Sequence, residues 1–288
     1  MGTASTRRTF LVGSSAGLVL AGASATALLG LQTGAGEAPA AASADPAALT
    51  LPDSWPTQAP DLAREMVGAS HGRVERVREL LALHPSLARA TWDWGFGDWE
   101  TALGAASHVG NREIAELLLA HGAHATVFSA AMLGQLATVR AFLESSPGVQ
   151  KTPGPHGLTL LHHARAGGET ARPVLEYLDR TGGADPQPPV VALSEVDQAA
   201  LLGTYLFGAR ANERFVVAVG RMGLTLERAG SSALRLFHLG DLEFHPPGVP
   251  GARIRFERQA GGIGGIRALT VHDPELIVRA TRVVAGVG

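Results

Sequence analysis

Two short stretches with the same pattern decide the fold, Thr101-Ala102-Leu103-Gly104-Ala105-Ala106 and Thr159-Leu160-Leu161-His162-His163-Ala164. Each leads to a nearby glycine, Gly110 or Gly168, and then to a segment with apolar residues at helical spacing. Small residues allow the first helix to pack closely, and glycine allows the chain to turn. The pattern therefore predicts pairs of short helices that recur along the chain.

The same arrangement recurs around Gly72 and Gly134, where the opening threonine motif is missing. Four apolar stripes follow the four turns, each with the spacing of one helix face. They are Val74/Val77/Leu80/Leu81, Ile114/Leu117/Leu118, Leu136/Val139/Phe142/Leu143 and Val174/Leu175/Leu178.

Region 61–186 resembles an ankyrin repeat array of about four units. The two threonine stretches stand where the family has T-P-L-H-x-A, and Ala120–Ala123 and Thr181–Asp185 resemble the G-A-D segment that ends a unit. The turn glycines at 72, 110, 134 and 168 are 38, 24 and 34 residues apart. Because an ankyrin unit has about 33 residues, roughly five are inserted before the second unit and roughly nine are missing before the third.

The inserted residues fall in the segment from Thr91 to Glu100, which holds three of the four tryptophans. Insertions in repeat arrays often project on the binding face, and aromatic rings beside carboxylates and histidines are typical of recognition sites. The resemblance also implies partner contacts from the positions beside the turn glycines. The expected ligand- or partner-binding residues are Trp92, Asp93, Trp94, Phe96, Asp98, Trp99, Glu100, His71, His108, Met132 and His156. Alternatively, the tryptophans fold back and fill the gap left by the short third unit.

After the proline-rich segment 185–189 and a helical run near 194–202, apolar residues alternate with polar ones, which indicates strands. Eight short strands are predicted between Thr204 and Arg282, separated by Gly, Pro or Asp turns, as in a small closed meander. Leu202-Gly203-Thr204-Tyr205 and Arg253-Ile254-Arg255-Phe256 resemble the opening and closing strands of the lipocalin-like domain appended to some secreted serine hydrolases. The expected fold class is α + β with two domains, an ankyrin α-solenoid followed by a small antiparallel lipocalin-like β-barrel.

Thr6-Arg7-Arg8-Thr9-Phe10-Leu11 resembles the twin-arginine export motif, and an uncharged stretch and a small-residue site at Ala42-Ser43-Ala44 follow it. Export to the periplasm or the exterior is therefore expected, with an uncleaved membrane anchor as the alternative and no stable membrane span after processing. The expected organisation is an export signal at 1–44, a linker at 45–60, ankyrin repeats at 61–186, a second linker at 187–199 and the β-barrel at 200–285.

The chain contains no cysteine and one lysine, Lys151, which excludes thiolate chemistry and makes Schiff-base and Walker-type sites improbable. With 24 basic and 26 acidic residues it lacks the basic excess of a nucleic-acid binder. No H-E-x-x-H motif is present, and adjacent His162 and His163 face different sides of a helix, so neither a metal nor another cofactor is expected. His162 stands at the ankyrin position that forms structural hydrogen bonds between neighbouring loops.

These features predict an exported, non-catalytic protein that binds a protein partner or a small apolar ligand, and that can self-associate through the β-barrel. The competing hypothesis is a secreted enzyme for a small hydrophobic substrate. In that case His108 and a carboxylate of the tryptophan-rich loop would form an acid–base pair.

Overall fold

A computed structural model describes residues 53–187, 189–221, 223–249, 251–259, 265–273 and 276–283. The expected export signal at 1–44 and most of the glycine-rich segment 261–265 lie outside these residues. The described residues belong to one compact unit. In this part of the chain, no helix has both the length and the apolar character needed to cross a membrane.

The first half of the described chain consists of helices that follow one another in pairs. The pairs are α1 (Pro60–Ala69) with α2 (Val74–Leu83), α3 (Ala102–His108) with α4 (Arg112–Ala120), α5 (Val127–Met132) with α6 (Leu136–Ser145), and α7 (Leu160–Ala166) with α8 (Arg172–Thr181). The first helices pack in chain order, α1 on α3, α3 on α5 and α5 on α7. Helix α3 also contacts α7 directly.

Threonines begin three of these pairs. The hydroxyl of Thr101 accepts a hydrogen bond from the amide of Gly104 (2.9 Å), and Thr159 does the same for the amide of His162 (3.1 Å). Thr126 and Ser129 form a reciprocal capping box at the start of α5. Since such caps satisfy amides that have no partner within the helix, each threonine fixes where its helix begins. The third pair thus also begins with a capping threonine, although its sequence lacks the threonine motif of the second and fourth pairs.

Gly110 occupies a position that only glycine fits. Its φ is +75°, and an added Cβ would press against the backbone oxygen of Ala166. We expect Gly110→Ala to lower the free energy of unfolding by at least about 2 kcal/mol, because left-handed strain adds to the steric clash. Gly122 is a matched control, since its φ is +85° but an added Cβ would meet nothing within 4 Å.

Urea unfolding of both glycine variants measures the difference. Gly122→Ala is expected to cost about 1 kcal/mol, from left-handed strain alone. Equal losses in the two variants would show that the approach of Ala166 to Gly110 is not tight.

The inserted tryptophan-rich segment forms a β-hairpin rather than an open loop. Strands β1 (Thr91–Asp93) and β2 (Trp99–Thr101) pair antiparallel, with Trp92 opposite Glu100. The carboxylate of Asp93 accepts hydrogen bonds from the amides of Gly95 (2.8 Å) and Gly97 (3.2 Å). Asp93 therefore holds the tip of the hairpin in a fixed conformation.

The second half begins with α9 (Glu195–Leu201) and continues as one antiparallel sheet of nine strands. The strands are β3 (Gly203–Leu206), β4 (Arg214–Gly220), β5 (Gly223–Arg228), β6 (Leu234–Arg235), β7 (Phe237–Gly240), β8 (Glu243–His245), β9 (Arg253–Arg258), β10 (Ile266–His272) and β11 (Ile277–Arg282). Their order across the sheet is β6-β5-β4-β3-β11-β10-β9-β8-β7. The expected α + β class is confirmed at this level.

The sheet curls into a nearly closed barrel because its two edge strands, β6 and β7, are consecutive in sequence. One of the eight strands expected from the sequence covers Ala233–Leu239, and it is divided at buried Leu236, whose amide donates to the backbone oxygen of Leu224 (2.8 Å). Side chains fill much of the interior, and the hydroxyl of fully buried Tyr205 donates to the backbone oxygen of Leu201 (2.7 Å).

Candidate functional site

The tip of the hairpin lies between the helices and the sheet. Phe96 packs against the hydrophobic core of the sheet, whereas Trp94 packs against the core of the helical half. Gly95, Phe96 and Gly97 all have positive φ, and at +59° Phe96 is in a conformation that non-glycine residues seldom adopt. Backbone strain of this kind is often found where a residue must be presented in one orientation.

A cavity of about 720 Å³ opens beside the hairpin tip, at one end of the sheet. Its walls are mainly aromatic and aliphatic, including Trp94, Phe96, Phe207, Phe215, Leu226 and Val278. Polar and charged groups are added to the lining by Arg228, Ser231, Ser232, Asp273 and Arg279. The guanidinium of Arg228 stacks on the Phe207 ring at 5.5 Å. An apolar cavity of this volume with a few polar groups is typical of a small-molecule site.

On the helical side of Trp94, three histidines surround one buried glutamate. The Oε1 atom of Glu100 lies 2.9 Å from Nε2 of His108 and 3.3 Å from Nε2 of His156. The Nε2 atom of His71 lies 3.5 Å from Oε2 of Glu100 and 3.1 Å from Nε2 of His108. One ligand atom from each of these four residues lies within 4.8 Å of the others, so they could hold a metal ion. We call these four residues the histidine cluster.

The residues of the histidine cluster come from separate elements. His71 lies in the turn after α1, His108 ends α3, Glu100 is in β2, and His156 lies in a short 3-10 turn at Pro155–Gly157. His156 has a φ of +58°. Asp98 accepts hydrogen bonds from both the backbone amide (2.8 Å) and Nδ1 (2.6 Å) of His156. Asp98 therefore holds His156 in this left-handed conformation.

Charge in the histidine cluster is shared between buried groups. Burial opposes ionisation of Glu100, but His108, His156 and His71 outweigh it and lower the pKa of the carboxyl to about 2. Burial also opposes the charge on His156, but Asp98 and Glu100 raise its pKa to about 10. Without a bound ion, at neutral pH, Glu100 is thus ionised and His156 is protonated.

The direct contact of α3 with α7 explains how His156 reaches His108. Nε2 of His162, at the start of α7, lies 3.0 Å from the backbone oxygen of His108. His162 therefore makes a structural hydrogen bond, but to the end of α3 rather than to a neighbouring loop as the resemblance implied. This contact places the second helix pair directly beside the fourth at the histidine cluster.

The expected binding residues are divided among several environments. Trp94 reaches both sites, since it lines the cavity and its Nε1 donates to Oε2 of Glu100 (2.8 Å). Trp92 packs on the helical core with Arg64 of α1 5.8 Å from its ring, and Trp99 is 61% exposed. Met132 was expected on the binding face but is fully buried, because α5 is enclosed by α3 and α7.

No metal was expected from the sequence, although the four residues of the histidine cluster could hold one. The available signal was that His71 and His108, 37 residues apart, each stand at or just after the end of the first helix of a pair. Nothing in the sequence indicates that Asp98 pairs with His156, because the two residues are 58 positions apart and lie in different loops. The cavity also depends on long-range contacts, since the hairpin and the sheet form its walls together.

No protein-family model matches this chain, and no curated protein or solved structure is significantly similar to it. Its function must follow from the chemistry of the cavity and of the histidine cluster.

Proposed function

We propose that this is an exported, non-catalytic binding protein that takes a small apolar ligand into the cavity beside the hairpin tip. The supporting observation is the cavity of about 720 Å³, with Trp94 and Phe96 on one side and the sheet on the other. Each square ångström of apolar surface removed from water contributes roughly 25 cal/mol, so an apolar body of this size gains substantial binding free energy. Arg228 and the two serines suit a polar end group on the same ligand.

The proposal includes an ankyrin-type helical half and a lipocalin-like sheet. In favour of the first are the threonine caps and the row of first helices, together with the hydrogen bond from Thr159 to Asp185 (2.7 Å), which ties the motif to the G-A-D segment. The nearly closed antiparallel sheet with a cavity at one end favours the second. Self-association through the sheet is a further part of the proposal, and sedimentation of the purified chain measures it.

A charge placed in the cavity wall is expected to weaken ligand binding. Ile277 lines the cavity and is 67% exposed, so Ile277→Asp adds a carboxylate at little cost to folding. Burying that charge against an apolar ligand is expected to weaken binding at least tenfold. Fluorescence titration with the apolar probe N-phenylnaphthylamine measures the change.

Leu83→Asp is the matched control, since Leu83 is 74% exposed and lies in α2. Its affinity for the probe should equal that of the wild type. Equal affinity of the wild type and Ile277→Asp would contradict the cavity as the binding site.

The export proposal predicts a large change in localisation. Replacing both Arg7 and Arg8 with lysine should retain the protein in the cytoplasm, because the twin-arginine route depends on the arginine pair. Cell fractionation and immunoblotting of the wild type and the double variant measure this. Unchanged export of the variant would rule out this route.

The competing function, a secreted enzyme, is favoured by one observation, the 2.9 Å contact between His108 and Glu100. A carboxylate–imidazole pair can act as a general base. His108→Asn separates the two functions. An enzyme would lose turnover while still binding substrate, whereas the proposed binding protein would retain its affinity for the probe to within a few-fold.

A further inference from the structure

We propose that the histidine cluster binds one divalent transition-metal ion, with Nε2 of His71, His108 and His156 and Oε1 of Glu100 as its ligands. Imidazole nitrogens suit zinc, copper, nickel and iron, while magnesium and calcium prefer an all-oxygen site. The donor set of three histidines and one carboxylate therefore selects a transition metal such as Zn²⁺. This inference does not depend on the apolar ligand.

Three of the six distances between the ligand atoms lie close to those around a tetrahedral ion, and all six are within 4.8 Å. A metal–ligand bond of about 2.0–2.1 Å places neighbouring donors roughly 3.3–3.4 Å apart. These three separations are 2.9 Å for His108 to Glu100, 3.1 Å for His71 to His108 and 3.3 Å for His156 to Glu100. Small shifts of the side chains would complete the coordination sphere.

Neighbouring groups already orient two of the histidines as metal ligands usually are. Nδ1 of His71 lies 3.2 Å from the backbone oxygen of Val67, and Nδ1 of His156 lies 2.6 Å from Oδ2 of Asp98. Engaging Nδ1 in this way leaves Nε2 for the ion and fixes the plane of the ring. The Asp98–His156 pair has the arrangement of a carboxylate–histidine–metal triad.

Glu100 also has one oxygen free for an ion. Oε2 accepts the hydrogen bond from Trp94, whereas Oε1 is buried and accepts no hydrogen bond, although two imidazole nitrogens lie close to it. A buried carboxylate oxygen without a well-aligned hydrogen-bond donor is costly. A cation at the centre of the cluster would remove that cost.

The charges of the buried groups also favour a divalent cation. The carboxylates of Asp98 and Glu100 are 3% and 0% exposed, and the side chains that pair with them are histidines. Because His156 must release its proton to coordinate the ion, the imidazoles of the occupied site are neutral and one doubly charged ion balances both carboxylates. Because four protein ligands fill a tetrahedral sphere, the ion would have a structural role, joining the hairpin to three of the helix pairs.

Metal titration of the purified full chain tests this inference. After removal of metals with a chelator, calorimetry with Zn²⁺ should show one site per chain, and Co²⁺ should give the intense visible absorption of a tetrahedral complex. The melting temperature should rise with the concentration of Zn²⁺, because an ion bound by the folded state stabilises it. Mg²⁺ should produce neither effect.

Two variants and one control make the test specific. His71→Ala removes a partly exposed ligand at little cost to folding and should weaken Zn²⁺ binding at least about 100-fold, whereas Asp98→Asn should weaken it about 10–100-fold. His124→Ala removes an exposed histidine outside the cluster and should leave the affinity unchanged. Equal Zn²⁺ affinity in the wild type and His71→Ala, or a Co²⁺ spectrum typical of octahedral coordination, would overturn the proposal.

Discussion

Replacing Asp98 with alanine is expected to lower the free energy of unfolding of the metal-free protein by about 3–5 kcal/mol, the usual cost of breaking a buried ion pair. Asp98 is 3% exposed and accepts hydrogen bonds from both the amide and the side chain of His156. Its loss leaves the charged imidazole paired with Glu100 alone. The left-handed backbone at His156 also loses the group that holds it.

Chemical denaturation of Asp98→Ala, with chelator present, measures this loss. Asp98→Asn is the informative second variant, since its amide oxygen can still accept the bond from the backbone of His156 while the charge is lost. We expect the free energy of unfolding to fall about half as much in Asp98→Asn as in Asp98→Ala, which is within the range for hydrogen bonds to charged groups. Asp179→Ala, at an exposed position of α8, should change stability by less than about 0.5 kcal/mol. A loss below 1 kcal/mol in Asp98→Ala would contradict the structural role of the pair.

Acidification is expected to destabilise the protein through His163. This side chain is fully buried, its ring lies 4.8 Å from that of Phe128, and its Nε2 has no hydrogen-bond partner among the described residues. Burial lowers its pKa from 6.5 to about 4; His162 and His108 act in the same direction, and the Thr159 carbonyl and Glu100 oppose them. The unfolded chain therefore takes up a proton at higher pH than the folded chain.

The resulting loss has a defined pH window. Stability from the neutral His163 is fully present above about pH 6.5 and is lost as the pH falls to 4. At about 1.4 kcal/mol for each pKa unit, the loss is roughly 3 kcal/mol. Unfolding free energies measured between pH 7 and pH 4 should fall less steeply in His163→Leu than in the wild type. His124→Leu, at an exposed position, should retain the wild-type slope, and equal slopes in all three proteins would contradict this assignment.

Local signals allowed much of the fold to be predicted. The threonines at 101 and 159 begin helices because each hydroxyl caps an amide nearby in sequence, and alternating apolar residues marked most strands. The hairpin at Thr91–Thr101 was less evident, because glycines and an aspartate mark a turn without showing that the flanking residues pair. The division of the strand at Leu236 depends on closure of the sheet, which is a property of the whole domain.

The candidate site was predicted only in part. The loop from Thr91 to Glu100 and both His71 and His108 were predicted to bind a partner, and Glu100 of that loop lies close to the two histidines. Asp98 and Glu100 were expected to contact a partner but are buried against histidines instead. Sequence spacing could not show this, because the approach of His156 depends on how α7 packs against α3.

The contact between α3 and α7 gives the short connection from His121 to Thr126 an unexpected importance. This connection is shorter than those that precede α3 and α7, and we infer that it sets the separation of His108 from His156. A longer connection would move the two histidines apart while leaving both in the sequence. In related chains, we therefore expect the length of this connection to be inherited together with the histidines. A short loop would then belong to the sequence pattern that identifies the site.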